Sequence, residues 1–170
     1  ENSEEENKEK KLEILNKRDT LGKIGYDSII IADFDESLKS VTTSLLYTDV
    51  SPKNVTFISL NQWFDETLFK ETASQPISFP SVNKGNFDKF NKEYEEFYKE
   101  PPNQLSLLTY DLVGLIYYLL RQNDFLVDEK IFEEKNTFKG MSGNFQIKNK
   151  KINHVLNFYK VEGNSFIEIF

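Results

Sequence analysis

Two short apolar runs separated by an amphipathic segment dominate the first third of the chain. Residues 27–33 contain the run Ile29–Ile31, and residues 55–60 form the second run. A continuous apolar run of this length is typical of a strand buried on both faces of a sheet. Between the runs, apolar residues recur at helical spacing from Glu36 to Leu46, and Asp35 is a suitable N-cap. The pattern predicts two adjacent parallel strands joined by a crossover helix.

The middle of the chain favours helices. A short helical piece is expected at Glu66–Glu71 and a strand at Gln75–Phe79, which Pro80 should end. Asn86 is expected to cap a helix whose aromatic residues share one face. The segment Gln104–Arg121 is apolar around most of its circumference, which predicts a largely buried helix. The aromatic stripe of the helix after Asn86 consists of Phe87, Phe90, Tyr94 and Phe97. A further short helix is expected at Asp128–Lys135.

From Asn144 onward the apolar positions alternate with a period of two. Three such stretches are separated by polar turns at residues 148–151 and 162–164, which predicts an antiparallel meander. The expected fold class is therefore α/β, with a parallel βαβ core, flanking helices and a C-terminal antiparallel meander. Residues 1–11 are a charge run expected to be flexible, and residues 12–170 are expected to form a single domain that begins with an amphipathic helix at Leu12–Leu21.

Composition narrows the possible functions. The net charge is −7, and Arg18 and Arg121 are the only arginines, so the chain lacks the cationic character that nucleic-acid binding needs. Without cysteine it has no disulfide, thiolate metal site or cysteine nucleophile. The longest uncharged apolar run, Leu112–Leu120, is too short to span a bilayer. We expect no cofactor, no nucleic-acid partner and no transmembrane segment.

The candidate ligand-binding residues follow the two predicted strands. In open α/β sheets ligands bind beyond the carboxyl ends of the strands. Asp33 and Asp35 come after the first strand and could meet the ammonium group of a small solute, while Asn61 and Trp63 end the second. A purely structural interpretation stays open, in which Asp35 caps the helix, Asp33 is a solvated carboxylate, and Trp63 closes the edge of the core.

Several segments, in this order, resemble the C-terminal half of type I periplasmic-binding-protein-like domains. The matching features are a helix carrying Tyr110-Asp111, the turn Phe138-Lys139-Gly140-Met141-Ser142-Gly143, and the closing strands after it. The family includes the leucine/isoleucine/valine-binding proteins of ABC transporters and the lipoprotein activators of penicillin-binding proteins. The resemblance implies structural roles for Tyr110 and Asp111, a buried hydroxyl and a carboxylate that binds backbone.

The same resemblance implies a non-enzymatic binding domain in the periplasm or bacterial cell envelope. It would either dock to a peptidoglycan synthesis enzyme or capture a small polar solute such as an amino acid. Proteins of this family have two lobes, and this chain resembles only the second half. Because the first lobe has no counterpart here, we expect self-association, or an N-terminal partner segment, through residues 87–120.

An enzymatic alternative rests on the segment IIIADFDESL. It resembles the first motif of haloacid-dehalogenase-like phosphatases, in which Asp33 would be the nucleophile, Asp35 the general acid/base, and Mg²⁺ would bridge them to phosphate. Glu36 stands where that motif usually has glycine, and no later apolar strand ends in an acidic pair. His154 is the only histidine, so a Ser-His-Asp triad would have to use it. We expect that the chain is not an enzyme.

Overall fold

The computed structural model describes Lys8 and residues 24–132, 137–149 and 151–170. Apart from Lys8, the expected charge run and the expected helix Leu12–Leu21 lie outside the described residues. The chain divides into two compact units. The first unit comprises the chain up to Leu60 together with Glu66–Ser78 and Val161–Ser165. The second unit comprises Asn61–Asp65, Phe79–Lys160 and Phe166–Phe170. The expectation of a single domain over residues 12–170 stays a prediction.

The first unit contains the predicted parallel pair. Strand β1 (Ser28–Ile31) pairs with β2 (Thr56–Ser59) in parallel, with Ile29 opposite Phe57. Helix α1 (Asp35–Tyr47) connects them and buries Leu38 and Thr42. The strand–helix–strand unit read from the two apolar runs is therefore confirmed, and Phe57 is completely buried.

Strand β1 is less buried than its sequence suggested. It forms one edge of a five-stranded sheet, in which it is followed in order by β2, β3 (Ile77–Ser81), β7 (Asn157–Glu162) and β8 (Ser165–Glu168). Only Ile31 is buried in this strand, and Ile30 is 69% exposed. Burial on both faces was wrong for this strand, because among the described residues no layer covers the face from which Ile30 projects.

A connection of two 3-10 segments, Glu66–Lys70 and Thr72–Ser74, leads from β2 to β3 (Ile77–Ser81). The expected strand thus starts later, and Pro80 lies inside β3 instead of ending it. Strand β3 pairs with β2 at Ile77 and Ser78. Pro80 follows these residues, so its missing backbone N–H interrupts no hydrogen bond between Ile77 or Ser78 and β2.

The second unit carries the other two helices. Helix α2 (Lys84–Tyr98) begins after Asn83, whose side-chain oxygen accepts a hydrogen bond from the backbone N–H of Asn86 over 3.0 Å. The N-cap is therefore Asn83, and Asn86 is the donor to it instead of the expected cap. Helix α3 (Ser106–Gln122) starts two residues after the expected boundary. A 3-10 turn, Glu129–Phe132, stands within the helix expected at 128–135, of which residues 133–136 lie outside the described residues.

The C-terminal strands are antiparallel, as expected, but they are divided between two sheets. Strands β4 (Thr137–Lys139), β5 (Asn144–Lys148) and β6 (Lys151–Val155) form a three-stranded antiparallel sheet. Strands β7 (Asn157–Glu162) and β8 (Ser165–Glu168) belong to the five-stranded sheet, and the two-residue turn between them makes an antiparallel hairpin. The connection of one residue between β6 and β7 is where the chain leaves one sheet for the other.

Helix α3 buries only one narrow stripe. Leu107, Asp111, Leu115 and Leu119 are buried, at intervals of four residues. Leu115 and Leu119 pack with Phe145 of the small sheet. The prediction of a largely buried helix was wrong for the rest of its circumference, where apolar side chains remain exposed: Tyr110, Leu112, Val113, Ile116, Tyr117 and Tyr118.

Candidate functional site

Asp33 and Asp35 follow β1 in the first unit. The Asp33 carboxylate accepts hydrogen bonds from the backbone N–H of Phe34 over 3.0 Å and from the Ser37 hydroxyl over 2.7 Å. The N-cap position of α1 is occupied by Phe34 without a side-chain cap bond, and Asp35 is the first helical residue with a φ of 48°. Asp35 is therefore not the cap. The carboxylate that binds the first turn of α1 belongs to Asp33, because its oxygens reach both Phe34 and Ser37.

Asn61 and Trp63 lie together in the second unit, in the turn Asn61–Asp65. The side-chain oxygen of Asn61 accepts from the backbone N–H of Trp63 and from the hydroxyl of Ser81, each over 2.9 Å. Trp63 and Phe64 both have positive φ values, 50° and 58°. Two adjacent non-glycine residues in this region are uncommon and store strain, a feature found often at ligand sites.

The strained turn sends its two aromatic residues in different directions. Phe64 is buried and makes edge-on ring contacts with Phe79, Tyr159 and Phe166 at centroid distances of 5.9, 5.0 and 5.4 Å. Trp63 is half-buried, and its ring centroid lies 6.5 Å from that of Phe87. Phe64 thus anchors the turn in the core of this unit, and Trp63 keeps part of its ring accessible. The assignment of Asp33, Asp35, Asn61 and Trp63 to a ligand site stays a prediction.

Tyr159 holds the same unit together from the strand side. Its hydroxyl accepts from the backbone N–H of Lys84 over 3.0 Å and donates to the carboxylate of Glu168 over 3.1 Å. Burial raises the pKa of the Tyr159 hydroxyl above its usual 10.0; the Lys84 N–H acts in the opposite direction, and the bond to Glu168 and its negative charge raise the pKa further. Tyr159 therefore stays neutral and fixes the first residue of α2.

Asp111 forms a buried clamp on the turn between β4 and β5. Its two carboxylate oxygens accept from the backbone N–H groups of Met141 over 2.8 Å and Ser142 over 2.7 Å, and Oδ2 also accepts from the Ser142 hydroxyl. A methyl group on Gly140 would overlap this carboxylate, and Gly143 has a φ of 127°. The expected role of Asp111 in binding backbone is confirmed. Tyr110, by contrast, is exposed, so its hydroxyl is not the buried group that we expected.

A serine, a histidine and an aspartate meet at this clamp, but not in the order of a catalytic triad. The Ser142 hydroxyl donates to Asp111, and Ser142 is buried. His154 donates from Nε2 to the backbone carbonyl of Ser142 over 3.0 Å, and not to the Ser142 hydroxyl. Nucleophilic catalysis requires histidine to take the proton from the serine hydroxyl. The three residues therefore stabilise the turn at Ser142 and do not form a catalytic triad.

A broad groove lies between α2, α3 and β4 in the second unit. Its volume is about 1150 Å³, and its lining is rich in aromatic side chains, with Phe90 and Tyr94 on α2, Tyr117 on α3 and Phe138 on β4. The sequence pattern predicted apolar stripes on both helices but not that a groove would open between them. Within the described ranges no group of three His, Asp or Glu side chains is placed to hold a metal ion, and no helix there is long and apolar enough to cross a membrane.

No protein-family model and no curated protein sequence matches the chain. Solved structures do match it. A leucine-binding protein, LivK, from Thermotoga maritima aligns with a TM-score of 0.60 and 17% identity over 85% of this chain and 44% of that protein. An extracellular ligand-binding receptor from Desulfohalobium retbaense aligns with a TM-score of 0.59 and 17% identity over 84% of this chain and 26% of the receptor.

The chain spans less than half the length of either structure. Its structure contains the elements predicted for an α/β fold with a parallel core. These elements are the parallel strands β1, β2 and β3 of the five-stranded sheet and the antiparallel C-terminal strands. The chain has the fold of part of a type I periplasmic-binding-protein-like domain.

Proposed function

We propose that this chain is a non-catalytic binding domain of the bacterial cell envelope, and that it captures a small polar solute such as an amino acid. The fold it shares with a leucine-binding protein and an extracellular ligand-binding receptor supports a binding role. The observation that carries the proposal is the strained turn Asn61–Asp65. It follows the carboxyl end of a parallel strand, and it leaves Trp63 half-buried beside a hydrogen-bonded Asn61.

Trp63 is the only tryptophan of the chain, so its fluorescence reports on this turn. We expect a saturable fluorescence change when leucine or another amino acid is added. Asn61→Ala is expected to weaken binding at least about tenfold, because it removes the acceptor of two hydrogen bonds that hold the turn, each worth roughly 0.5–1.5 kcal/mol. Asn54→Ala, which removes a side-chain acceptor from an exposed turn of the first unit, is the matched control. Calorimetric titrations that show no saturable heat with any amino acid would contradict solute capture.

Docking to a peptidoglycan synthesis enzyme is the second candidate. It is favoured by the connection after β2, residues 60–65, which contains no glycine and no long ligand loop. Fluorescence titration separates the two functions. The docking function is indicated if amino acids cause no fluorescence change and the chain forms a defined complex with a purified penicillin-binding protein in sedimentation.

The phosphatase alternative is tested by hydrolysis of a generic phosphate ester in the presence of Mg²⁺. We expect no turnover above background. Asp33 has its carboxylate oxygens engaged by Phe34 and Ser37, and the described residues hold no cluster that could ligate the metal ion. Turnover that disappears in Asp33→Asn would overturn the non-enzymatic proposal, because this substitution removes a nucleophile while it keeps the side-chain shape.

A further inference from the structure

The exposed side of α3 forms one continuous apolar face in the second unit. Tyr110, Val113 and Tyr117 follow one another at intervals of three and four residues, and all are exposed. Residues at this spacing share one face of a helix. Contiguous exposed apolar surface of this kind is rare on monomeric proteins and marks interaction sites.

This face is concave at its centre. The groove of about 1150 Å³ has Gly114 of α3 among its lining residues, and a methyl group at that position would meet nothing within 4 Å. Glu93 and Lys139 are the ionisable groups on its lining besides the tyrosines and Asp111, whose carboxylate is occupied by the turn. A neutral, apolar element therefore suits the groove better than a charged one.

Such an element projects beside the groove on the same unit. Phe125, Leu126 and Val127 are 60%, 67% and 85% exposed. The ring of Phe125 lies 6.1 Å from that of Tyr117, which lines the groove. We call Phe125–Val127 the apolar knob.

The backbone of the knob is held in a defined conformation by several hydrogen bonds. Asp124 and Phe125 have positive φ values of 48° and 61°. The Phe125 N–H donates to the Leu120 carbonyl over 2.7 Å, and the Asn123 side chain donates to the Leu126 carbonyl over 2.7 Å. A strained turn held in this way presents apolar side chains at little further entropic cost on binding.

We propose that a second copy of this chain covers the face, with the knob of each copy seated in the groove of the other. A twofold dimer requires that one patch be complementary to itself, and a knob beside a groove meets this requirement. The nine contributing side chains expose on the order of 100 Å² each. The face therefore offers roughly 900 Å² per copy, which is comparable with the roughly 800 Å² per partner of a standard interface. The contributing residues are Phe97, Tyr98, Tyr110, Val113, Tyr117, Tyr118 and the knob.

Sedimentation velocity of the 170-residue chain from about 1 to 100 μM tests the proposal. We expect a reversible monomer–dimer equilibrium. Leu126→Asp in the knob and Val113→Lys in the groove are each expected to raise the dimer dissociation constant at least about tenfold, because each leaves an unpaired charge in the interface. Both positions are exposed, so folding should be retained. Tyr47→Asp, at an 87% exposed position of the first unit, is the matched control and should leave the constant unchanged.

Mixing the two variants identifies the occupant as a second copy. The Leu126→Asp chain has an unaltered groove, and the Val113→Lys chain has an unaltered knob. Their heterodimer contains one original contact and one Asp–Lys contact, so dimerisation should recover in the mixture. A wild-type chain that stays monomeric, face variants that behave like the Tyr47 control, or a mixture without heterodimer would each overturn the proposal.

Discussion

Replacing Asp111 with alanine is expected to lower the free energy of unfolding by about 3–5 kcal/mol. The substitution removes the carboxylate that accepts three hydrogen bonds. The donors that lose this acceptor are the N–H groups of Met141 and Ser142 and the Ser142 hydroxyl. Each donor left unpaired in a buried position costs about 1–3 kcal/mol. Urea unfolding monitored by circular dichroism measures the change.

Two further variants give this experiment its controls. Asp111→Asn keeps one acceptor oxygen and should lose less stability than the alanine variant. Asp128→Ala removes an exposed carboxylate that accepts a single backbone bond, from Lys130, and should cost about 0.5 kcal/mol or less. Equal losses for Asp111→Ala and Asp128→Ala would show that the clamp does not stabilise the unit.

Gly140→Ala is expected to destabilise the chain by about 3 kcal/mol or more, because the added methyl group overlaps the Asp111 carboxylate and either the clamp or the turn must move. Gly114→Ala is the matched control. Nothing lies within 4 Å of a methyl group there, and alanine stabilises a helix interior by about 0.5–1 kcal/mol relative to glycine.

The two sites should be strongly coupled. In the Asp111→Ala background the obstacle at position 140 is gone, so Gly140→Ala should cost clearly less than in the wild type. Strictly additive losses in the double variant would mean that the two residues destabilise the chain independently, which the geometry does not allow.

Local patterns predicted much of the fold. The apolar runs around Ile30 and Phe57 indicated parallel strands, and these are formed because two neighbouring apolar runs joined by an amphipathic helix have few other ways to bury themselves. The edge position of β1 was missed, since the order of strands in a sheet depends on partners far along the chain. Helix boundaries shifted by one to three residues because a cap depends on which side-chain oxygen reaches the first N–H groups, as with Asn83 and Asn86.

The candidate site was less predictable. Glycine is the sequence signal for a left-handed backbone, and neither Trp63-Phe64 nor Asp124-Phe125 contains one. The Trp63-Phe64 turn is stabilised by tertiary contacts, because Phe64 is buried among other aromatic rings. The Asp124-Phe125 turn is held by hydrogen bonds within residues 120–126. The bonds from Asp111 to the β4–β5 turn join residues about 30 positions apart, and only the resemblance to a known family pointed to them.

The position of β7 next to β3 has a consequence for how the chain reaches its native state. Strand β3 ends at Ser81 and β7 begins at Asn157, so the centre of the five-stranded sheet closes only after most of the chain has been brought together. Contacts between residues so far apart in sequence slow folding, because the entropy lost in closing the loop precedes the stabilisation from pairing. During synthesis, β1, β2 and β3 would leave the ribosome well before their last neighbours, and β3 would expose an unpaired edge until β7 arrives.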